Sequence, residues 1–303
     1  MSASTTERPG RALPDGIWGF PVSPFTAAGE LDLDGLRAGI ELQVDAGIDA
    51  IVVNGALAEV DALDGGEWVA AASAAAAYAD RVPVLAALPP DQGSALAAAR
   101  AAASLRLAAL LVLPPHGGSG ADLVARARAA VEIAGVPAVV YQRGTALLDL
   151  ALVAEAVADG AVIGVKDGTR DLRALRRLMQ GLDDRVTIAA AFEDMTLPYW
   201  ALGVDALCPA STVHDPAYSC AWLHYLRAGD VAAARALLEA FAYPFTDLRL
   251  SRPGIDVAVV KEAIRLRGYP AGSVREPAVG LTDGECAAVA ALLGRLDASL
   301  AAW

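Results

Sequence analysis

The strongest constraint on how this chain can fold is an alternation. From residue 17 onward, short continuous apolar runs alternate with longer Ala-rich segments of helical period, and the cycle occurs eight times. The runs occupy 17–25, 50–55, 82–89, 108–115, 137–143, 161–168, 186–193 and 205–211. They are continuously apolar, where a half-exposed strand would alternate, so they read as parallel strands buried on both faces. In the first intervening segment Leu33, Leu36, Ile40 and Val44 recur at spacings of three and four, and Gly47 stands where a helix would end. Further helices are expected near 67–79, 92–105, 119–133, 147–158, 169–181, 194–202 and 214–228. Eight βα units in series specify an α/β fold, a closed (β/α)8 TIM barrel. It is expected over 17–228, after an N-terminal tail (1–16) and before a C-terminal helical extension (229–303) with helices near 230–243, 256–267 and 282–300. An open doubly wound sheet would normally carry a Gly-rich first βα turn for a nucleotide, and the sequence has none.

Composition removes several function classes. A chain of 303 residues with 55% hydrophobic and 20% charged residues can bury a large core. Its net charge of −12 argues against a nucleic-acid partner, since that affinity comes largely from basic patches. No apolar run reaches the roughly 18 residues that suggest a membrane span, and the first residues lack the apolar stretch of a signal peptide, so a cytoplasmic location with no membrane partner is expected. Cys208, Cys220 and Cys286 show no CxxC spacing, and His116, His214 and His224 form no paired motif, so neither a disulfide framework nor a metal site is expected.

Only two of the 24 basic residues are lysine, Lys166 and Lys261. In a (β/α)8 barrel the active site is built at the C-terminal ends of the strands. Lys166 ends the sixth run, after the wholly apolar AVIGV. Burial there lowers a lysine pKa, and a neutral amine is a Schiff-base nucleophile toward a carbonyl. The alternative is a lysine paired with Asp167 or Glu193. Tyr141 ends the neighbouring run; it is either the group that moves protons during imine formation or an interior tyrosine bonded to backbone. Arg143 could clamp a carboxylate or pair with Asp167. Ser23, Asn54, Gly55, His116 and Ser211 also fall at strand ends, His116 and Asn54 as possible relay or pocket residues. For Lys261 the residues suggest no more than a helix-surface or interface ion pair.

These residues carry a resemblance. PVSPF at 21–25, YQR at 141–143, GVKDG at 164–168 and VVKEAIRLRGYPAGSVREP at 259–277 are similar to segments of the class I Schiff-base lyases. That family includes dihydrodipicolinate synthase and N-acetylneuraminate lyase, and the likeness is greatest to the 5-dehydro-4-deoxyglucarate dehydratases. The resemblance implies Lys166 as the imine lysine and Tyr141 as its acid–base partner. It also implies a small-molecule 2-oxo acid substrate, no cofactor beyond the covalent lysine imine, and a homo-oligomer, dimer or tetramer. It places the substrate carboxylate on the loop after the second strand. There the family's threonines are replaced by Ala56 and Leu57, which keep the N–H groups but lose the hydroxyls. At strand 4 the family's tyrosine appears as His116, and the Ser-rich end of strand 8 reads Cys208, Pro209, Ala210.

Three functions are therefore weighed. The first is a dehydrating lyase, with or without decarboxylation, acting on a sugar-derived 2-oxo acid, with Ser23, Gly55, Ala56, Leu57, Arg143 and Ser211 holding the substrate. The second is a pyruvate-dependent aldolase or synthase on the same lysine. The third is a catalytically degenerate barrel that binds a ligand or partner.

Overall fold

The structure, a computed structural model, describes residues 11–301. Eight parallel strands close into a barrel in chain order: β1 Gly16–Gly19, β2 Ala50–Val53, β3 Val84–Leu88, β4 Ala109–Val112, β5 Ala138–Gln142, β6 Val162–Asp167, β7 Thr187–Ala191 and β8 Ala206–Cys208. β1 pairs with both β2 and β8, which closes the ring. Nearly every strand residue is buried, because side chains facing inward fill the barrel while those facing outward meet the helices. The helices are α1 Leu33–Asp45, α2 Gly65–Ala76, α3 Gln92–Ala102, α4 Gly120–Ala134, α5 Leu150–Ala158, α6 Leu172–Gly181, α7 Thr196–Leu202 and α8 Pro216–Arg227.

Part of the acidic excess has a structural use. Asp32, Asp64, Asp91, Asp149, Asp171 and Asp215 each cap a barrel helix, accepting from N–H groups of its first turn. Those groups have no partner inside the helix, and a carboxylate also suits the positive end of the helix dipole.

Strand 1 is shorter than its apolar run. It stops at Gly19, and Pro21 and Pro24, which lack an N–H for the ladder, carry the chain onward as a loop.

Beyond α8 the chain forms α9 Val231–Leu237, a π-helical turn Leu238–Ala242, α10 Tyr243–Leu250, α11 Asp256–Leu266 and α12 Asp283–Ala301. The helix expected to end at 243 thus continues to Leu250. Pro244 reads as a stop in sequence, yet it falls in the first turn of α10, where a missing N–H costs least. Tyr218 on α8 ties the π turn to the barrel: its hydroxyl donates to Leu237 O at 3.1 Å and accepts from Ala242 N at 3.2 Å. Phe241 and Phe245 stack at 4.8 Å and cover His214. The extension therefore packs on α8 and on the short turns that follow β7 and β8.

Candidate active site

Lys166 and Tyr141 are register partners on β6 and β5, so their side chains leave adjacent strands at the same level. Lys166 is 7% exposed. Its Nζ lies 3.8 Å from the centre of the Phe20 ring and 4.5 Å from that of Tyr141. No carboxylate among the described residues pairs with it. Asp167, one residue on, faces away and takes bonds from Gln142 Nε2 (2.7 Å), Tyr199 OH (2.7 Å) and Thr169 Oγ1 (2.9 Å). Burial brings the Lys166 pKa down to about 8; Cys208 raises it slightly, and the charge of Arg143 lowers it further. A useful fraction of the amine is then neutral near physiological pH.

Burial pushes the Tyr141 phenol up to about 12, against the nearby charge of Arg143, so the phenol holds its proton and can donate it. The Arg143 guanidinium carbon is 5.3 Å from the centre of its ring. Gly168 makes room for it: a Cβ there would stand 2.7 Å from a Tyr141 ring carbon and 2.8 Å from the hydroxyl. This gives a steric reason for glycine after Lys166 and Asp167.

A cavity of about 150 Å³ opens over Lys166. Its wall includes Phe20, Ala56, Leu57, Tyr141, Arg143, Phe192, Glu193, Cys208, Arg249 and Asp256. Ala56 and Leu57 lie in a 3-10 turn, Ala56–Ala58, that starts after Gly55. The first N–H groups of such a turn find no acceptor within it. Glu193, at the end of β7, is buried; Ser211 N donates to one of its oxygens at 3.2 Å and Ser211 Oγ to the other. Burial pushes the Glu193 pKa up to about 6, although the Ser211 bonds and the charge of Arg249 hold it down.

The structure thus gathers Lys166, Tyr141, Arg143, Ala56 and Leu57 around one cavity, and leaves Ser23, Asn54, Gly55, His116 and Ser211 off its lining. Ser23 is buried without lining the cavity. Gly55 backs against Phe20, whose ring would be 3.0 Å from an added Cβ. Asn54 adopts a left-handed φ of 58° and donates to Trp68 O at 3.0 Å. His116 has a side chain 74% exposed, lies 3.6 Å from Asp61, and borders a different surface groove. Ser211 stands behind Glu193 and bonds Ser219 at 2.7 Å.

Phe20, Glu193, Arg249 and Asp256 were not selected as site residues from the sequence. Glu193 was visible at a strand end; Arg249 and Asp256 come from the extension, where no motif marks them. Among the described residues no group of three or more His, Cys, Asp or Glu is placed to hold a metal, and no helix is long and apolar enough to cross a membrane.

Comparison with known proteins supplies the remaining findings. Residues 13–296 match the sequence profile of the Dihydrodipicolinate synthetase family. A "Probable 5-dehydro-4-deoxyglucarate dehydratase 2" from Streptomyces avermitilis is 34% identical over 99% of this chain and 91% of the relative. A "Probable 5-dehydro-4-deoxyglucarate dehydratase" from Allorhizobium ampelinum is 31% identical over 93% of this chain and 96% of the relative. Among solved structures, a prophage protein of the dihydrodipicolinic acid synthase family from E. coli K12, in complex with pyruvate, superposes with a TM-score of 0.83 at 27% identity, covering 93% of this chain and 98% of that one.

Proposed function

The chain belongs to the dihydrodipicolinate synthetase family, and from that premise we propose that it is a Schiff-base-forming hydro-lyase acting on 5-dehydro-4-deoxyglucarate or a closely related sugar-derived 2-oxo acid. The observation that carries the reading is the buried, carboxylate-free amine of Lys166 beside the Tyr141 phenol.

Neutral Lys166 adds to the 2-oxo carbonyl, Tyr141 protonates the departing oxygen, and water leaves as the imine forms. The imine then acts as electron sink: a proton leaves the adjacent carbon, and the resulting enamine expels the hydroxyl one carbon further on, protonated, as water. Glu193, poised near pH 6 on the cavity wall, is suited to carry that proton. Water then cleaves the product imine and frees Lys166. Arg143 and the N–H groups of Ala56 and Leu57 hold the carboxylate next to the carbonyl. No cofactor beyond the covalent imine is required by this chemistry. A homo-oligomer, dimer or tetramer, and a cytoplasmic location complete the reading, supported by family membership alone.

The test is borohydride trapping with 5-dehydro-4-deoxyglucarate and with pyruvate. The reading expects a mass increment on the peptide containing Lys166, absent in Lys166→Arg, and substrate consumption without pyruvate release. An aldol-type reading is favoured by the pyruvate held by the E. coli relative; it expects pyruvate release instead, detectable with lactate dehydrogenase. A wild-type protein that forms no adduct with any carbonyl compound would sink both.

A further inference from the structure

We propose that Arg249 is the clamp for a second carboxylate, at the end of the substrate remote from the carbonyl that Lys166 attacks, and that Asp256 holds that clamp in position. The inference rests on the Schiff-base reading above and names the substrate class it serves: 2-oxo acids with a carboxylate at both ends.

Arg249 belongs to α10, in the helical extension, yet it reaches the wall of the barrel's cavity. Its Nε donates to Asp256 Oδ1 at 2.6 Å. That bond uses one of the five N–H donors of a guanidinium, on its inner edge. No other hydrogen bond to Arg249 is found among the described residues, so the terminal amino groups, the pair that matches a carboxylate in bidentate fashion, are left without a protein acceptor. The burial is asymmetric: the Arg249 side chain is 14% exposed and that of Asp256 47%. A largely buried cation is held from its solvent side by a half-hydrated anion.

Glu193 is near enough for Arg249 to hold its pKa down, but both Glu193 oxygens are already occupied by Ser211. The wall carries three cationic side chains, Lys166, Arg143 and Arg249, and two carboxylates, Glu193 and Asp256. Imine formation takes up Lys166, and Arg143 sits with Tyr141 at the carbonyl end. Arg249 is then the cation left for the other end. A substrate ending in a methyl group offers it nothing and buries its terminal donors without a partner. A second carboxylate satisfies them with charge-assisted bonds.

The experiment compares 2-oxoadipate with 2-oxohexanoate, probes of equal chain length that end in carboxylate and methyl respectively. For each protein the concentrations giving half-maximal borohydride trapping at Lys166 are measured, and their ratio is taken as the dicarboxylate preference. Because the ratio is internal to each protein, a partly misfolded sample cannot imitate the effect. Arg249→Gln should lower the preference by about 10-fold or more, the size of a lost charge-assisted bond. Asp256→Asn keeps an acceptor for Nε but removes the competing charge, and should raise the preference several-fold. If Arg249→Gln does not fold, Arg249→Lys, which keeps the charge but loses the planar fork, takes its place and should lower the preference several-fold. An unchanged ratio in both variants, each still trapping the probes, would overturn the inference and leave the Schiff-base reading standing. Failure of the wild-type protein to trap even pyruvate would overturn both.

Discussion

The ammonium of Lys261 lies 2.6 Å from the carboxylate of Glu59, and both side chains are buried. Lys261 Nζ also donates to Ser273 O at 2.8 Å and sits 4.3 Å over the Phe25 ring. Glu59 closes the turn that presents Ala56 and Leu57, in a left-handed conformation of φ 53°, and accepts from Arg275 N at 2.7 Å. The ion pair therefore fastens the loop after β2 to α11 and to the segment that follows it. It lies inside the molecule, where the sequence suggested a helix surface or an interface.

Lys261→Ala leaves Glu59 buried without its counter-ion. Breaking such a pair typically destabilises by about 3–5 kcal/mol. Urea denaturation should show a clearly lower midpoint, and an unchanged midpoint would mean that the pair contributes nothing.

Lys166→Met should make the protein more stable and inactive. The folded pKa of about 8 is below the reference value of 10.5, so the unfolded chain binds more protons between those values. Stability therefore rises with pH across that window, and below it the full penalty of a buried ammonium applies, about 3 kcal/mol at most. The variant should lose that slope and gain stability at pH 7. In the wild-type protein the rate of trapping should rise with pH and level off above about 8.

Tyr141→Phe should lower kcat by about 10²–10⁴-fold, the usual worth of a positioned acid–base group. Gly168→Ala should reproduce much of that loss while leaving the phenol in the sequence, because the added methyl would occupy the space of the ring. Wild-type kcat in Gly168→Ala would show that the close approach does not position Tyr141.

Ser211→Ala should move the titration of Glu193 upward from about 6, since it removes the hydroxyl bond that helps hold that carboxyl down against its burial and keeps only the backbone N–H bond. Carbon-detected NMR of labelled glutamate reads this directly. A downward shift would contradict the assignment of Ser211 as the group that supports Glu193.

His214 tests acid stability. Both of its ring nitrogens are buried without a hydrogen-bond partner, and burial, aided by the charges of Arg267 and Arg249, lowers its pKa from 6.5 to about 3. Between those values the unfolded chain binds the proton that the folded chain refuses, so stability falls as pH drops through about 6 toward 3. His214→Phe should flatten that part of the pH–stability curve and raise stability at neutral pH.

The barrel was legible in the sequence because its signal is local. A continuously apolar run of five residues, followed by a capped helix of regular period, states its own secondary structure, and eight in series leave one closed arrangement. Lys166 and Tyr141 were legible for the same reason: each ends such a run, and strand ends face the site. Where strand 1 stops was legible only once its two prolines were set against the ladder. The passage of the chain through the π turn to Leu250 is supported by Tyr218, whose bonds span 19 and 24 residues, which no local pattern contains.

The sequence by itself determined the fold and the standing of Lys166 and Tyr141 at the ends of neighbouring strands, since alternation and position along a strand fix which way a side chain leaves the sheet. Tertiary structure alone decided which polar residues share the cavity. Ser211 turns behind Glu193, His116 faces solvent, and Arg249 and Asp256 arrive from a helix that packs beside the barrel. Those placements depend on long-range contacts between elements distant in the chain, where the energy of packing and of ion-pair geometry, rather than any local propensity, sets the outcome.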